Sequence, residues 1–145
     1  MPRFLKETDY DPFIKAEIKK SITGTLLPNN VSIKQLAAEE TATAMIREYI
    51  GGRYNCDLVF AAVDSARNMF IVKCVIVITL YSLYHQTGMK DIPEHRQNDY
   101  DDTVKWLEKV GQGSIPTSLP PKLTETGNYE GDIRINSRKP QDHKW

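Results

Sequence analysis

Very little in this sequence is equipped for chemistry. The 145 residues include two cysteines and three histidines, and these do not group. Cys56 and Cys74 form no Cys-x-x-Cys pair and have no histidine at ligand spacing, so a thiolate-held metal is not indicated. They read as small buried hydrophobes of a reducing cytoplasm. His85 closes an apolar run, His95 opens a charged one and His143 lies near the end, without an HExxH pattern. Gly51-Gly52 follows a helical stretch instead of preceding one, the wrong order for a phosphate cradle. Ser65 and Ser82 have no visible His and Asp partners. Asp99, Asp101 and Asp102 form an acidic cluster that an early helical turn accommodates through the helix dipole. No metal, cofactor or catalytic group is expected.

An excess of either charge is also missing. Lys plus Arg number 19 and Asp plus Glu number 19, for a net charge of zero. That excludes the strongly basic signature of a dedicated nucleic-acid binder, but not a protein that surrounds DNA. The start, Met1-Pro2-Arg3-Phe4-Leu5-Lys6, carries no long apolar stretch, so no signal peptide is read there. The most apolar segment, Met69 to Tyr84, is interrupted by Lys73 and falls short of the roughly 20 residues a membrane span needs. It is expected in the core, and no membrane partner is expected. Repeats and low-complexity tracts are lacking.

What is present is helical patterning. A first helix is predicted from about Asp11 to Ser21, capped by Thr8, Asp9 or Asp11, with Pro12 at its first position and Phe13, Ile14, Ile18 and Ile22 on one face. A second, capped by Asn30 or Ser32, runs from Ile33 to Ile50. It is rich in Ala and Thr and stops at Gly51-Gly52, one of which is expected in the left-handed conformation. Arg53 to Val63 has no firm period and reads as a linker. From Ser65 or Asn68 to Tyr84 the β-branched residues favour a strand. The length of the run without a turn signal favours a helix apolar nearly all round, and a central helix is predicted. The fourth, from about Glu94 to Val110, is opened by Pro93 and ended by Gly111 and Gly113. Its apolar positions are Tyr100, Val104, Trp106, Leu107 and Val110, with acids near its start and Lys105 and Lys109 near its end.

After Ser114 prolines, glycines and polar residues take over. The predicted fold is mainly α: a compact bundle of about four helices over residues 1–114, followed by an extended C-terminal arm over 115–145. Ile133-Arg134-Ile135 can form a short β strand there. The arm cannot build a core of its own and is expected to lie on a partner. Its candidate contact residues are Ile133, Arg134, Ile135, Arg138, Lys139 and the terminal Trp145, whose large ring suits a pocket on another protein. Asp132 and Asp142 dilute its basic character, so a protein contact is favoured over a DNA contact.

Several of these segments resemble a known family. Ile46-Arg47-Glu48-Tyr49-Ile50-Gly51-Gly52-Arg53-Tyr54 is similar to the helix-end motif of the Mu-like tailed-phage neck proteins. Leu80-Tyr81-Ser82-Leu83-Tyr84 matches the Leu-Tyr end of their apolar helix. Arg96, Tyr100, Trp106 and Leu107 match their Arg-x-x-x-Tyr-x-x-x-x-x-Trp-Leu pattern, and Val110 to Pro116 matches their closing turn. The similarity covers roughly Leu5 to Leu119 and not the stretch from Glu125 onward. The sequence departs from it at Asn55 to Asp64, where members often carry a proline-rich loop. The resemblance implies a head-completion or head–tail adaptor protein of the virion, assembled in the bacterial cytoplasm and not an enzyme. It implies a ring, commonly of twelve copies, that docks on the portal protein, extends the DNA channel used at ejection and offers a surface to tail-completion or other neck proteins. DNA would pass without specific binding, as the neutral charge suits. The competing readings are a tail-completion or terminator subunit, and a small cytosolic helical DNA-binding regulator or helical enzyme.

Overall fold

The computed structural model describes residues 3–23, 32–86 and 92–123. Its α-helices are α1 (Ala16–Thr23), α2 (Ile33–Ile50), α3 (Cys56–Ala61), α4 (Met69–Gln86) and α5 (Glu94–Gln112), with 3-10 turns at Glu7–Tyr10 and Asp64–Ala66. The protein is mainly helical, as predicted, and an isolated antiparallel bridge joins Tyr54 to Pro121.

Helix α4 is the centre. Asn68 supplies its start, its side-chain oxygen accepting from Phe70 N at 3.0 Å and Ile71 N at 3.2 Å, the capping role that favours Asn at this position. Its β-branched residues carry no strand signal that survives burial. Ile71, Val72, Val75, Ile76 and Ile78 are all buried, and tertiary packing overrides propensity. At 18 residues α4 is long and apolar enough by length and composition to cross a membrane, but 61% of it is buried inside the protein. Its burial beneath α2, α5, α1 and the N-terminal 3-10 turn, and not its length, marks it as a core helix.

Helices α2 and α5 pack on α4 and on each other. Ala38 and Ala42 of α2 are buried, and their small side chains bring the backbones together, as the alanine-rich sequence predicts. Ser32 caps α2, accepting from Lys34 N, and its hydroxyl also donates to Thr23 O at 2.5 Å, which ties the end of α1 to the start of α2. Gly51 closes α2 in right-handed geometry, φ −67°. The left-handed cap expected at Gly51-Gly52 is not used there. It occurs at Gly113, φ +77°, after α5, where Gly113 N and Ser114 N bond back to the carbonyls of the last turn.

Three further expectations are corrected. The first helix begins at Ala16 instead of Asp11. The chain around Pro12 is a turn after the 3-10 segment, so Pro12 follows a helical turn and does not open α1. Ile14 and Ile22 are buried, while Ile18 is 44% exposed. The expected linker contains α3, capped by the Asn55 side chain accepting from Leu58 N; six residues are too few to show a 3.6-residue period. Gly111 is not a stop signal. It lies within α5, where an added Cβ would stand 2.2 Å from the Tyr49 carbonyl oxygen of α2.

The first part of the expected arm, residues 115–123, lies against the helical body. Leu119 is buried, Asn55 N donates to Pro120 O at 2.8 Å, and Lys122 N donates to Arg53 O at 3.0 Å. The expected strand at Ile133-Arg134-Ile135 lies outside the described residues.

The helix crossing at Gly111 gives a direct test. Gly111→Ala should destabilise the fold by about 1–3 kcal/mol, because backbone must move to admit the methyl group. Gly52→Ala, which meets nothing within 4 Å, should leave stability within about 1 kcal/mol. Urea denaturation of the two variants measures both.

Candidate interaction surfaces

Residues 3–14 form a strap across the bundle, held mainly by side-chain bonds to a few buried polar groups. The principal anchor is Glu39 on α2, whose side chain is only 8% exposed. Arg3 grips it with two bonds, Nε to Oε2 at 2.8 Å and Nη2 to Oε1 at 2.5 Å. The Tyr10 hydroxyl donates to the same carboxylate at 2.5 Å. Gln35, one turn earlier on α2, donates to Glu7 at 2.9 Å and to Glu39 at 3.3 Å. Glu7 also pairs with Arg3 at 2.8 Å and with Lys19 of α1.

A second anchor is Arg67, just before α4. It bonds both oxygens of Asp9, at 2.6 and 3.1 Å, and the Phe4 carbonyl at 3.0 Å. Lys6 pairs with Asp64, whose φ of +51° is the one positive value among the described non-glycine residues. At the other end Arg96 of α5 donates to the Phe13 carbonyl. Leu5, Tyr10 and Ile14 are the buried apolar plugs of the strap.

The electrostatics follow from this packing. Burial pushes the Tyr10 phenol upward, and the adjacent Glu39 charge adds to it, so the hydroxyl is a fixed donor. Burial alone would raise the Glu7 carboxyl, but the hydrogen bonds from Lys19 and then Arg3 outweigh it and hold it below its usual value. For Asp9 the same contest is won by the hydrogen bonds from Arg67 and the Lys6 backbone. These are structural pairs: Glu39, Glu7 and Asp9 are each matched to a cation.

Among the described residues the surface also carries open depressions. Depressions of about 290, 210 and 370 Å³ lie between α3 and Leu119, beneath the strap at α1, and beside Cys56. Burial raises the Cys56 thiol against the nearby Arg47 charge, and Cys74 is pushed up by burial to about 12. Both are thiols within the fold. Among the described residues no group of three His, Cys, Asp or Glu could hold a metal ion. His85 touches the Tyr81 hydroxyl at 3.1 Å and His95 is exposed. Asp99, Asp101 and Asp102 are exposed on α5.

The expected arm contacts Ile133, Arg134, Ile135, Arg138, Lys139 and Trp145 lie outside the described residues. A surface that the sequence reading missed stands at the start of α4. Met69 and Phe70 are 63% and 61% exposed, and Phe70 stacks on Trp106 of α5 with ring centroids 5.5 Å apart. Trp106 packs against the core, as its apolar position in the fourth helix predicts, whereas Phe70 belongs to the apolar run that was expected to be buried. Only the position of Phe70 in the first turn, before the fully enclosed part of α4, hints that it projects outward.

A family model described as bacteriophage Mu, Gp36 matches residues 19–134. The chain belongs to that family. It is a Mu-like phage protein, and the Gp36 match spans α2 to α5 in full together with residues 115–123. It also runs through Arg134, beyond the limit near Leu119 that the motifs suggested, so Ile133 and Arg134 fall within the family region. The strap lies before it. No curated protein and no solved structure matches the chain.

Two predictions test the strap. Tyr10→Phe removes a donor from a buried carboxylate and should cost about 1.5–3 kcal/mol in urea denaturation. The second concerns pH. Because Glu7 and Asp9 titrate lower in the folded chain than when free, their stabilisation is complete above the usual carboxylate range of about 4. It is lost as pH falls through the folded values. Stability should therefore drop on acidification from pH 5, and Asp9→Asn should flatten that profile.

Proposed function

We propose that the chain is a structural subunit of the head–tail connector of a tailed phage. It forms a ring, twelve copies in the simplest arrangement, that docks on the portal, extends the DNA channel and presents the surface to which the tail or a further neck protein attaches. It works without a cofactor and turns over no substrate. The observation that carries this reading is the Gp36 match, which takes in α2 to α5 in full.

The physical character of the molecule supports it. A ring subunit needs a stiff body with two different side faces, and α4 enclosed by α2 and α5 supplies stiffness. The buried charges serve to hold the strap. A zero net charge suits a channel wall along which DNA slides, since a strongly basic wall would retain phosphates by counterion release. In this reading Ile133, Arg134, Ile135, Arg138, Lys139 and Trp145 contact the portal or a neighbouring subunit. The isolated chain associates weakly and assembles on the portal.

The test is an electron-microscopy map of the assembled neck, with particles made from a chain ending at Leu123 as the comparison. The full chain should appear as a ring against the portal. The shortened chain should keep its helical circular-dichroism spectrum and be missing from particles. A map with the full chain elsewhere than the portal vertex would refute the proposal. Fully infectious particles carrying the shortened chain would refute the role of the arm.

A further inference from the structure

Helix α5 carries its exposed charge in two separate blocks along its length. Glu94, Asp99, Asp101 and Asp102 are exposed in its first half, where no exposed Lys or Arg accompanies them, since Arg96 is buried. Lys105 and Lys109 are exposed in its second half, where Glu108 is the one acid. At 1.5 Å per residue, Asp101 and Lys109 stand about 12 Å apart along the axis. Lys73 of α4 is exposed one turn from Met69 and Phe70. None of these lysines or aspartates makes an ion pair among the described residues, whereas Arg3, Lys6, Lys19 and Arg67 of the strap region all do.

The two ends differ in apolar character as well. The basic end holds the platform of Met69 and Phe70 stacked on Trp106. Met69 and Phe70 are exposed and Trp106 behind them is half-buried; an exposed ring on such a backing, rimmed by charge, is what a protein interface uses as an anchor. The acidic end carries a half-buried stack of Tyr100 on Tyr81, centroids 4.0 Å apart, but no exposed large hydrophobic on α5 itself. The ends are thus complementary and unlike: one an acidic ridge, the other a lysine-rimmed aromatic seat.

We propose that the seat formed by Met69, Phe70, Trp106, Lys73, Lys105 and Lys109 receives the acidic first half of α5 from a second copy of this chain. The contact is head-to-tail, so each copy uses both ends, and repetition closes into a ring or continues as a filament. This deepens the connector reading and rests on it, by naming the faces through which subunits meet.

Two measurements on assembled particles test it. In the first, particles carry Asp101→Cys together with Lys109→Cys and are treated with a short bis-maleimide; the native Cys56 and Cys74 are buried. Denaturing gels should show a ladder from dimers upward through higher multimers. A chain present in the particle that gives no ladder overturns the proposal while leaving the connector reading intact. A ladder that stops at dimers makes the contact two-fold and also overturns it. A chain absent from the particle removes both readings.

In the second measurement, Asp101→Lys with Asp102→Lys, and separately Lys105→Glu with Lys109→Glu, should each lower infectious yield at least 100-fold. Combining all four changes should restore most of it. Wild-type yield from either pair alone, or no restoration in the combination despite a folded chain, overturns the assignment. Circular dichroism of the purified variants establishes that they are folded.

Discussion

Helix α4 has no polar face to offer water over its central turns, so the remaining elements must enclose it on every side. From Ile71 to Leu80 the only exposed residue is Lys73. Burying a Val, Leu or Ile side chain is worth about 1.5–3 kcal/mol, and α4 buries a run of them. Two helices cannot surround a third, however closely they approach. Helices α2 and α5 cover two flanks, and the strap of residues 3–14 with α1 covers much of the rest. The close approach of α2 and α5, which Gly111 permits, is a consequence of the same demand: each must reach α4 while touching the other.

The strap explains why the chain carries buried charge. A segment this short cannot hold itself down by apolar area alone, and its buried plugs are few. Glu39 supplies what is lacking. Its carboxylate accepts from Arg3, Tyr10 and Gln35 at once, and charge-assisted bonds are about twice as strong as neutral ones. Arg67 performs the converse service with one guanidinium on Asp9 and the Phe4 carbonyl. Such pairs also fix one register. The strap cannot slide along the bundle without leaving a charge buried and unpaired, which costs far more than the pair contributes.

What could be read from the sequence follows the range of each interaction. The span and apolar character of α4, the cap at Ser32 and the acid-to-base order of α5 rest on neighbours within a few turns, and all are found. Features made by contacts distant in sequence were not legible. Arg3 and Glu39 are 36 positions apart, and no periodicity links them. Gly111 looks like a helix stop until Tyr49 is seen behind it. Pro12 fits the first turn of a helix by local rules, yet the capping of the preceding 3-10 turn by Asp9 through Lys6 N moves the helix start to Ala16. The arm residues were chosen on composition and lie outside the described residues. Trp106 packs against the core as its apolar position predicts, whereas Phe70 is exposed, because a linear pattern cannot show on which side of a first turn a ring emerges.

The zero net charge, taken as a sum, hides a division of labour. On the strap side, cations and anions are consumed in pairs that hold the chain to its own core, and removing one partner is a matter of stability. On α5 every charge but Arg96 points outward, and Glu108 apart these are sorted by sign along the helix, in the order that satisfies the helix dipole. A sequence under pressure only to stay soluble would mix its surface signs. Sorting them over two halves of one exposed helix, beside a stacked aromatic pair, gives the molecule a direction. A directional subunit is what a closed ring requires, because rotation-related copies must each present one face and receive the other.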